Sequence, residues 1–363
     1  MKISHIITSL SQGGAEGALV RLVCESKYPA AHTVISLSDE GIHGATLRAY
    51  GARVISMGAP SGSFSLSAFC RLVAEIKGSS PDVVQTWMYH SDLLGGLAAK
   101  QLGIPAVWGV RMSNNELHYL GFKTWIVAKA CALLSRVIPR SIISCSHRSI
   151  ETHRKFGYAG NFNYIPNGFP IPVSVIDSVI HSVPVFGHAA RLHPLKGHAV
   201  FLRALELLKE KHVDFQVKMA GTGISCINPN FSAILPLSVI ENTVAIGPQS
   251  DMPAFYAGCD VFVLSSLGEA FPNVVAEAML AGLPCIVTDV GDAAEIVGNT
   301  GWVVPANNPE ALAEAMHQAV MALADVEAWA TRRAAARARI VAEYSMEKMQ
   351  ARFEAAWIAA IEK

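Results

Sequence analysis

The chain has 363 residues, too many for one ordinary hydrophobic core, so two domains are expected. Hydrophobic residues make up 51% of it, which suits a large α/β protein with parallel strands buried on both faces. Its 29 basic residues balance its 29 acidic ones, which excludes nucleic-acid recruitment by global charge and confines any polyanion site to a local patch.

The opening, MKISHIITSL, reads as a strand with no basic-then-apolar leader. A helix follows from about Ala15, then the β-branched runs HTVISLS, ARVISMG, PDVVQTWM, PAVWGVR and SIISCS, separated by helical stretches. This rhythm predicts βα units on a parallel sheet. The longest apolar tract, WIVAKACALLSRVIP from Trp125, is interrupted by Lys129 and Arg136 and is too short and too charged to span a bilayer. A cytoplasmic location is the expectation. IPNGFPIP, with three prolines and a glycine, reads as a stiff linker. The rhythm then restarts with PVFGHAARL, a helix over GHAVFLRALELLKEKH, and the strands DFQVKMAG, TVAIG, DVFVLSS, PCIVTD and GWVV. Two helices close the chain: one has Asn308 as N-cap and Pro309 as its first residue, and the other spans Met346 to Ile361. The expected architecture is two doubly wound, Rossmann-like parallel-sheet domains facing across a cleft, with ligands at the carboxyl ends of the strands. The expected boundaries are 1–165 for the first domain, 166–182 for the linker and 183–345 for the second domain, with the terminal helix, 346–363, packing back on the first. The seven cysteines (Cys24, Cys70, Cys131, Cys145, Cys226, Cys259 and Cys285) lack metal spacing and read as buried free thiols in a reducing compartment.

The chemistry concentrates in GEAFPNVVAEAMLAGLPCIV, residues 268–287. DVFVLSS is a buried strand, LGEAF the loop at its carboxyl end, and Pro272 suits the first turn of the next helix. The backbone N–H groups of Asn273, Val274 and Val275 would then be unpaired and face an anion. Glu277, five residues past Pro272 and ~7.5 Å along the helix, could accept hydrogen bonds from a vicinal diol such as a ribose. Glu269 would sit on the other side of the anion. One acid per polyol with a phosphate between them describes a nucleotide-sugar. An ordinary solvated Glu277 and a helix-capping Glu269 are the plain alternative. In HAARLHPLKGH, Arg191 and Lys196 share a loop at a strand's carboxyl end, where two cations can neutralise a pyrophosphate. In SLSQGGAEGA, Gly13 and Gly14 would let backbone approach a phosphate at a helix start. His90 falls near one strand end and Arg111 at the next, each a candidate to contact donor or acceptor. No D-x-D pair or His/Cys cluster suggests a metal, and no cofactor is expected.

Together these segments resemble the nucleotide-sugar-dependent glycosyltransferases of family 4, retaining enzymes of the GT-B fold. The likeness covers nearly the whole chain and rests on the glycine pair, DVVQTWMYHSDLLGGLAAKQLGIPAV, IPNG, RLHPLKGH and, above all, EAFPNVVAEAMLAGLPCIVTDVGDAAEIV with its two glutamates at E-x7-E spacing. The resemblance implies that Arg191 and Lys196 bind the donor diphosphate, Glu277 the ribose and Glu269 the transferred sugar. It also implies that Phe271 and residues 273–275 line the donor site and that Gly13 and Gly14 approach the phosphate. Two positions depart from the family pattern. Ala270 stands where glycine is usual, and Arg111 where many members carry histidine, leaving either His90 or Arg111 to take that histidine's part. TWMYHSDLLGG and VWGVR look most like the branch that builds bacterial surface polysaccharides.

The expected activity is therefore retaining transfer of a hexose from a nucleoside-diphosphate-sugar, UDP favoured, to a glycan or polyprenyl-diphosphate-linked hydroxyl, with His90, Arg191, Lys196 and Glu269 at the chemistry. The rivals are a same-fold epimerase or phosphorylase, a nicotinamide-dependent oxidoreductase and a non-catalytic sugar-binding protein. Arg136, Arg140, Arg148, Arg154 and Lys155, downstream of the WIVAKACALL segment, suggest peripheral contact with an anionic membrane.

Overall fold

The computed structural model describes residues 1–59, 65–112, 120–172 and 180–362. It divides into two compact units, Met1–Pro170 with Tyr344–Lys363, and Ile171–Glu343.

In the first unit the strands are β1 (Ile3–Ile7), β2 (His32–Ser36), β3 (Arg53–Ser56), β4 (Val83–Trp87), β5 (Ala106–Val110), β6 (Pro139–Ser144) and β7 (Phe162–Tyr164). The helices before the crossover to the second unit are α1 (Gly14–Cys24), α2 (Gly44–Ala49), α3 (Leu66–Ser79), α4 (Tyr89–Leu102), α5 (Phe122–Leu134) and α6 (His147–Phe156). The sheet is parallel, in the order β3-β2-β1-β4-β5-β6-β7. The strand order reverses between β1 and β4, whose carboxyl ends therefore flank a natural ligand crevice. β1, β4 and β5 are buried at every position, the pattern of strands covered on both faces.

The second unit repeats the scheme with β8 (Val185–Ala189), β9 (Gln216–Ala220), β10 (Thr243–Gly247), β11 (Val261–Leu264), β12 (Cys285–Thr288) and β13 (Trp302–Val304). Its parallel order is β10-β9-β8-β11-β12-β13, and the reversal falls between β8 and β11. Its helices are α7 (His198–Glu210), α8 (Pro229–Ser232), α9 (Met252–Ala257), α10 (Asn273–Leu280), α11 (Ala293–Val297), α12 (Pro309–Leu323) and α13 (Val326–Glu343). Asn308 caps α12 by accepting the Ala311 N–H at 2.9 Å, with Pro309 in the first turn.

The chain then returns to the first unit as α14 (Met346–Ile361), whose Ser345 cap accepts the Lys348 N–H. Phe353 and Trp357 of α14 join the core formed by Ile3, Ile7, Trp87 and Val107. The Trp357 indole donates to Gln85 Oε1 at 3.0 Å.

Three sequence expectations need correction. The start of IPNGFPIP is built into the first unit instead of linking the units: Ile165 and Phe169 are buried, and the Phe169 N–H donates to Tyr344 O at 2.9 Å. Residues 173–179, the centre of the expected linker, lie outside the described residues. The cysteines are all free, yet Cys70 and Cys226 are exposed, because each falls on the outward side of its segment. Between α12 and α14 the structure adds α13, whose alternating Ala and Arg hide its periodicity.

Candidate active site

At the carboxyl ends of β8 and β11 the second unit gathers its charged residues. β8 ends at Ala189 and leads to exposed Arg191, then through a short 3-10 turn, Pro194–Lys196, into α7. β11 ends at Leu264 and leads into the loop carrying Glu269. Two contacts lock these loops together: the Leu267 N–H donates to Leu195 O at 2.7 Å, and Ser265 Oγ donates to Lys196 O at 3.0 Å. Gly197 makes the approach possible. Its φ is +64, and a Cβ there would lie 1.9 Å from Ser265 O.

The result is an ion pair, Lys196 Nζ to Glu269 Oε1 at 2.6 Å, with Glu269 almost fully buried. Ser266 Oγ donates to the same Oε1 at 2.8 Å. Both contacts fall on Oε1, so Oε2 keeps its acceptor capacity for a ligand hydroxyl. Sequence reasoning brought Lys196 and Glu269 to one site but missed that they pair directly, and it missed Ser266. Beneath them the His188 Nε2–H donates to Ser265 Oγ at 3.1 Å, since the Ser265 proton is already directed to Lys196 O. Burial, with His198 beside it and Lys196 beyond, holds His188 well below the usual histidine range and so neutral.

Pro272 is the N-cap of α10, one position earlier than expected. The Val275 N–H is not free for an anion: it donates to Pro272 O at 3.0 Å. Asn273 also has a partner. Phe271 is buried in the loop before α10. Glu277, partly exposed, accepts the Tyr256 hydroxyl at 3.1 Å on Oε2. Burial, followed by the Glu277 charge, pushes the Tyr256 hydroxyl far above its ordinary range, so it remains a donor. Tyr256 lies on α9, 21 residues from its partner, a pairing that no local pattern discloses.

The first unit presents its own set at the carboxyl ends of β1, β4 and β5. Gly13 is the N-cap of α1, and Gly13 and Gly14 are exposed, but the Glu16 carboxylate covers this start: its Oε2 lies 2.2 Å from where a Cβ on residue 13 would be. An acid beside a helix N-terminus is favoured by the dipole, so the glycine pair is not the bare anion surface that the sequence suggests. Burial raises the Glu16 carboxyl, while a hydrogen bond from its own backbone N–H and the charge of Arg111 act the other way. Arg111, just past β5, donates from Nη1 to Asn167 Oδ1 at 2.5 Å and lies over the Trp87 ring at 4.6 Å. Asn167 belongs to IPNG, which explains why that motif is part of the fold here.

His90 is the second residue of α4, half-buried, and burial lowers its imidazole below the usual range. Just before it, Met88 takes a positive φ of 73, strain of the kind that clusters at ligand sites. Buried Asp92 braces the same turn, accepting Thr86 Oγ1–H at 2.5 Å and the Gly109 N–H at 3.2 Å on Oδ1. Among the described residues, no group of three His, Cys, Asp or Glu side chains is placed to hold a metal ion.

Two family models match the chain, one on each unit. Glycosyltransferase Family 4 covers residues 15–171, and Glycosyl transferases group 1 covers residues 183–321. The chain belongs to the family 4 glycosyltransferases. It is an enzyme of the transferase class, with the GT-B fold of two parallel-sheet α/β domains. It is 24% identical over 290 residues to the capsular polysaccharide biosynthesis glycosyltransferase CapM of Staphylococcus aureus, covering 74% of this chain and 75% of that protein. It is 23% identical over 265 residues to an Escherichia coli UDP-Gal:α-D-GlcNAc-diphosphoundecaprenol α-1,3-galactosyltransferase, covering 66% of this chain and 67% of that one. In structure it is similar to Anabaena HepE, solved in complex with UDP-glucose, with a TM-score of 0.82 over 99% of this chain and 100% of that one at 19% identity.

Proposed function

We propose that this transferase moves a hexose from a UDP-sugar, with retention at the anomeric carbon, to a hydroxyl of a glycan or polyprenyl-diphosphate-linked acceptor in surface-polysaccharide assembly. The observation that carries the proposal is the Lys196–Glu269 ion pair beside exposed Arg191, at the point where the strand order of the second sheet reverses. Lys196 has two further N–H donors, so a diphosphate can be held without releasing Glu269. Arg191 brings a planar fork suited to phosphate oxygens. As the sugar–phosphate bond breaks, negative charge grows on the diphosphate, and these two cations stabilise it. Glu269 Oε2 accepts from a sugar hydroxyl, and Glu277 accepts from the ribose diol while Tyr256 holds its other oxygen. His90, kept neutral, hydrogen-bonds the transferred sugar or the acceptor hydroxyl. The leaving diphosphate takes the acceptor proton in a front-face attack. The scheme assigns the charge neutralisation to protein cations and calls on no cofactor.

The printed partners of the relatives, UDP-glucose in HepE and a UDP-galactose donor with a diphosphoundecaprenol acceptor in the E. coli enzyme, support this choice of donor and acceptor class. A thermal-shift panel of nucleoside diphosphates and nucleotide-sugars tests it. Stabilisation by UDP and one UDP-hexose above the other bases is expected, and equal response to every base would overturn the donor assignment. The anomeric configuration of the product, read by NMR, tests retention.

The same proposal places the enzyme at the cytoplasmic face of an anionic membrane. On α5, Phe122 is 74% and Leu133 80% exposed, with Trp125 and Ile126 between them and Val137 and Arg136 beyond. Exposed apolar groups beside cations suit a lipid interface. Two members of the basic cluster are engaged within the protein: Arg154 lies over Phe162, and Arg148 has a partner. Phe122→Ala/Trp125→Ala is expected to lose sedimentation with anionic vesicles at low salt, and unchanged sedimentation would remove α5 as the anchor. No helix among the described residues is long and apolar enough to cross a membrane.

A further inference from the structure

Beside α14, part of β6 and β7 is left uncovered, from Arg140 near the amino end of β6 to Ile165 just past β7. The gap is a cavity of about 380 Å³ whose lining includes Arg140, near the start of β6, and Arg352, in the middle of α14. Neither guanidinium has an ion-pair or hydrogen-bond partner among the described residues. Many other arginines of the chain are engaged. Arg48 pairs with Glu40, Arg203 with Glu206, and Arg337 and Arg339 donate to backbone carbonyls. No carboxylate lines the cavity, so the two cations face it uncompensated.

The rest of the wall combines polar and small side chains with Phe162, Tyr164 and Ile165. Phe162 of β7 packs against the cluster containing Trp108 and Ile142, so strand alternation turns Asn163 toward the opposite face, with α14. Asn161 and Ser141 also line the cavity. The Ser141 hydroxyl is buried and has no protein partner. The α14 side is paved with alanines, among them Ala355 and Ala359, which leave room for a ring to lie close to the helix.

We propose that this groove is a second ligand site, one that takes a phosphate monoester or diphosphate carried on a sugar-sized polar body. A cavity of this size matches small-ligand sites. A carboxylate has two oxygens and is filled by one guanidinium fork, whereas a phosphate has oxygens enough for two. Arg140 and Asn161 stand at the amino ends of β6 and β7, while Arg111 follows the carboxyl end of β5. A phosphate at Arg140 lies ~15 Å along the strand from the level of Arg111, with Tyr164 and Ile165 carrying the wall toward the carboxyl end of β7, so it is not at the reacting bond. It is anchored or sensed remotely. The phosphate belongs either to a free sugar phosphate or to a lipid-linked sugar diphosphate, and the same arginines would read both.

Binding to the full-length chain is measured with two probes, glucose 1-phosphate in solution and a polyprenyl phosphate in neutral vesicles, neither of which requires turnover. Because Arg191 and Lys196 are proposed for the donor phosphate, the Arg191→Ala/Lys196→Ala variant isolates the groove. At least one probe is expected to bind that variant and to bind Arg140→Ala/Arg352→Ala about tenfold more weakly or worse. Arg140→Lys/Arg352→Lys, which keeps the charges but loses the forks, should fall between, and near-UV circular dichroism should show all variants folded. Binding of the soluble probe identifies a free sugar phosphate, and binding only from vesicles identifies a lipid headgroup. The proposal is overturned if neither probe binds saturably, if Arg140→Ala/Arg352→Ala binds like the parent, or if binding disappears with Arg191 and Lys196.

Discussion

Each unit places charged side chains where its strand order reverses, yet the two sets are built differently. In the second unit Lys196 is tied to Glu269 by a single contact and Arg191 stands exposed, so both cations retain donors to offer a ligand. In the first unit Arg111 is held by Asn167 and by the Trp87 ring, and the acid near it, Glu16, lies over the start of α1. One set is poised to bind, the other to brace. A charged residue at a strand's carboxyl end is therefore not by itself a ligand contact; what matters is how much of its bonding capacity the protein already uses.

Substitutions can break this contrast. The largest loss is expected in the second unit: Arg191→Ala or Lys196→Ala should each reduce transfer by roughly 10²–10³-fold with little change in folding, the loss typical of one preorganised charge-stabilising donor. Near-normal turnover in either purified variant would contradict the assignment.

Next come the two glutamates. Glu277→Ala should weaken UDP itself by about tenfold or more, the cost of losing a charged hydrogen-bond acceptor. Glu269→Gln should leave UDP affinity nearly unchanged and depress transfer. Calorimetry with UDP beside a transfer assay separates them, and equal loss of UDP in both variants would show that the division between ribose and sugar is wrong.

The brace should respond in stability instead. Arg111→Lys keeps the charge but loses the planar group that stacks on Trp87 and reaches Asn167. It should cost roughly 1–2 kcal/mol in urea unfolding with donor affinity kept. A large loss of donor affinity without destabilisation would move Arg111 from brace to binding residue.

The smallest effect is in pH. Burial lowers His32, His153 and His198 to about 4 and holds His5 and His188 well below their ordinary range. From pH 6.5 down to about 4 the unfolded chain binds protons that the native protein refuses, so stability should fall as pH falls through that window. Asp92 runs the other way. Burial raises it to about 8, so between about 4 and 8 the native protein holds the extra proton and stability falls as pH rises. Asp92→Asn removes that opposing slope, so unfolding midpoints between pH 4.5 and 8 should show a steeper acid loss than in the parent. An identical pH profile would mean that Asp92 is ionised in the fold.

The same division between local and distant causes explains what could be read from the chain. β-Branched runs such as ISHII and CIVT and the Asn308–Pro309 helix start owe their structure to neighbours in sequence, and both were legible. β7 was missed because three residues carry too little periodicity, and α13 because its buried residues are Trp329, Ala336 and Ile340, too sparse for a clear pattern. The pairing of Glu277 with Tyr256, the engagement of Arg111 by Asn167 and the Phe169–Tyr344 contact join residues far apart in the chain, so folding creates them. Glu16 is the exception. It lies three residues from Gly13, so its place over the start of α1 is within reach of local reasoning.

The return of α14 to the first unit also orders events during synthesis. α14, made after the whole second unit, supplies Phe353 and Trp357 to a core whose other members, Ile3, Ile7, Trp87 and Val107, are made before that unit. On the ribosome the second unit has its full complement of strands and helices while the first still lacks a wall, reversing the usual amino-terminal-first sequence. A message truncated after Glu343 would encode every residue discussed at the donor site yet leave the first-made half with an open apolar face. The integrity of that half thus depends on translation continuing past the second unit.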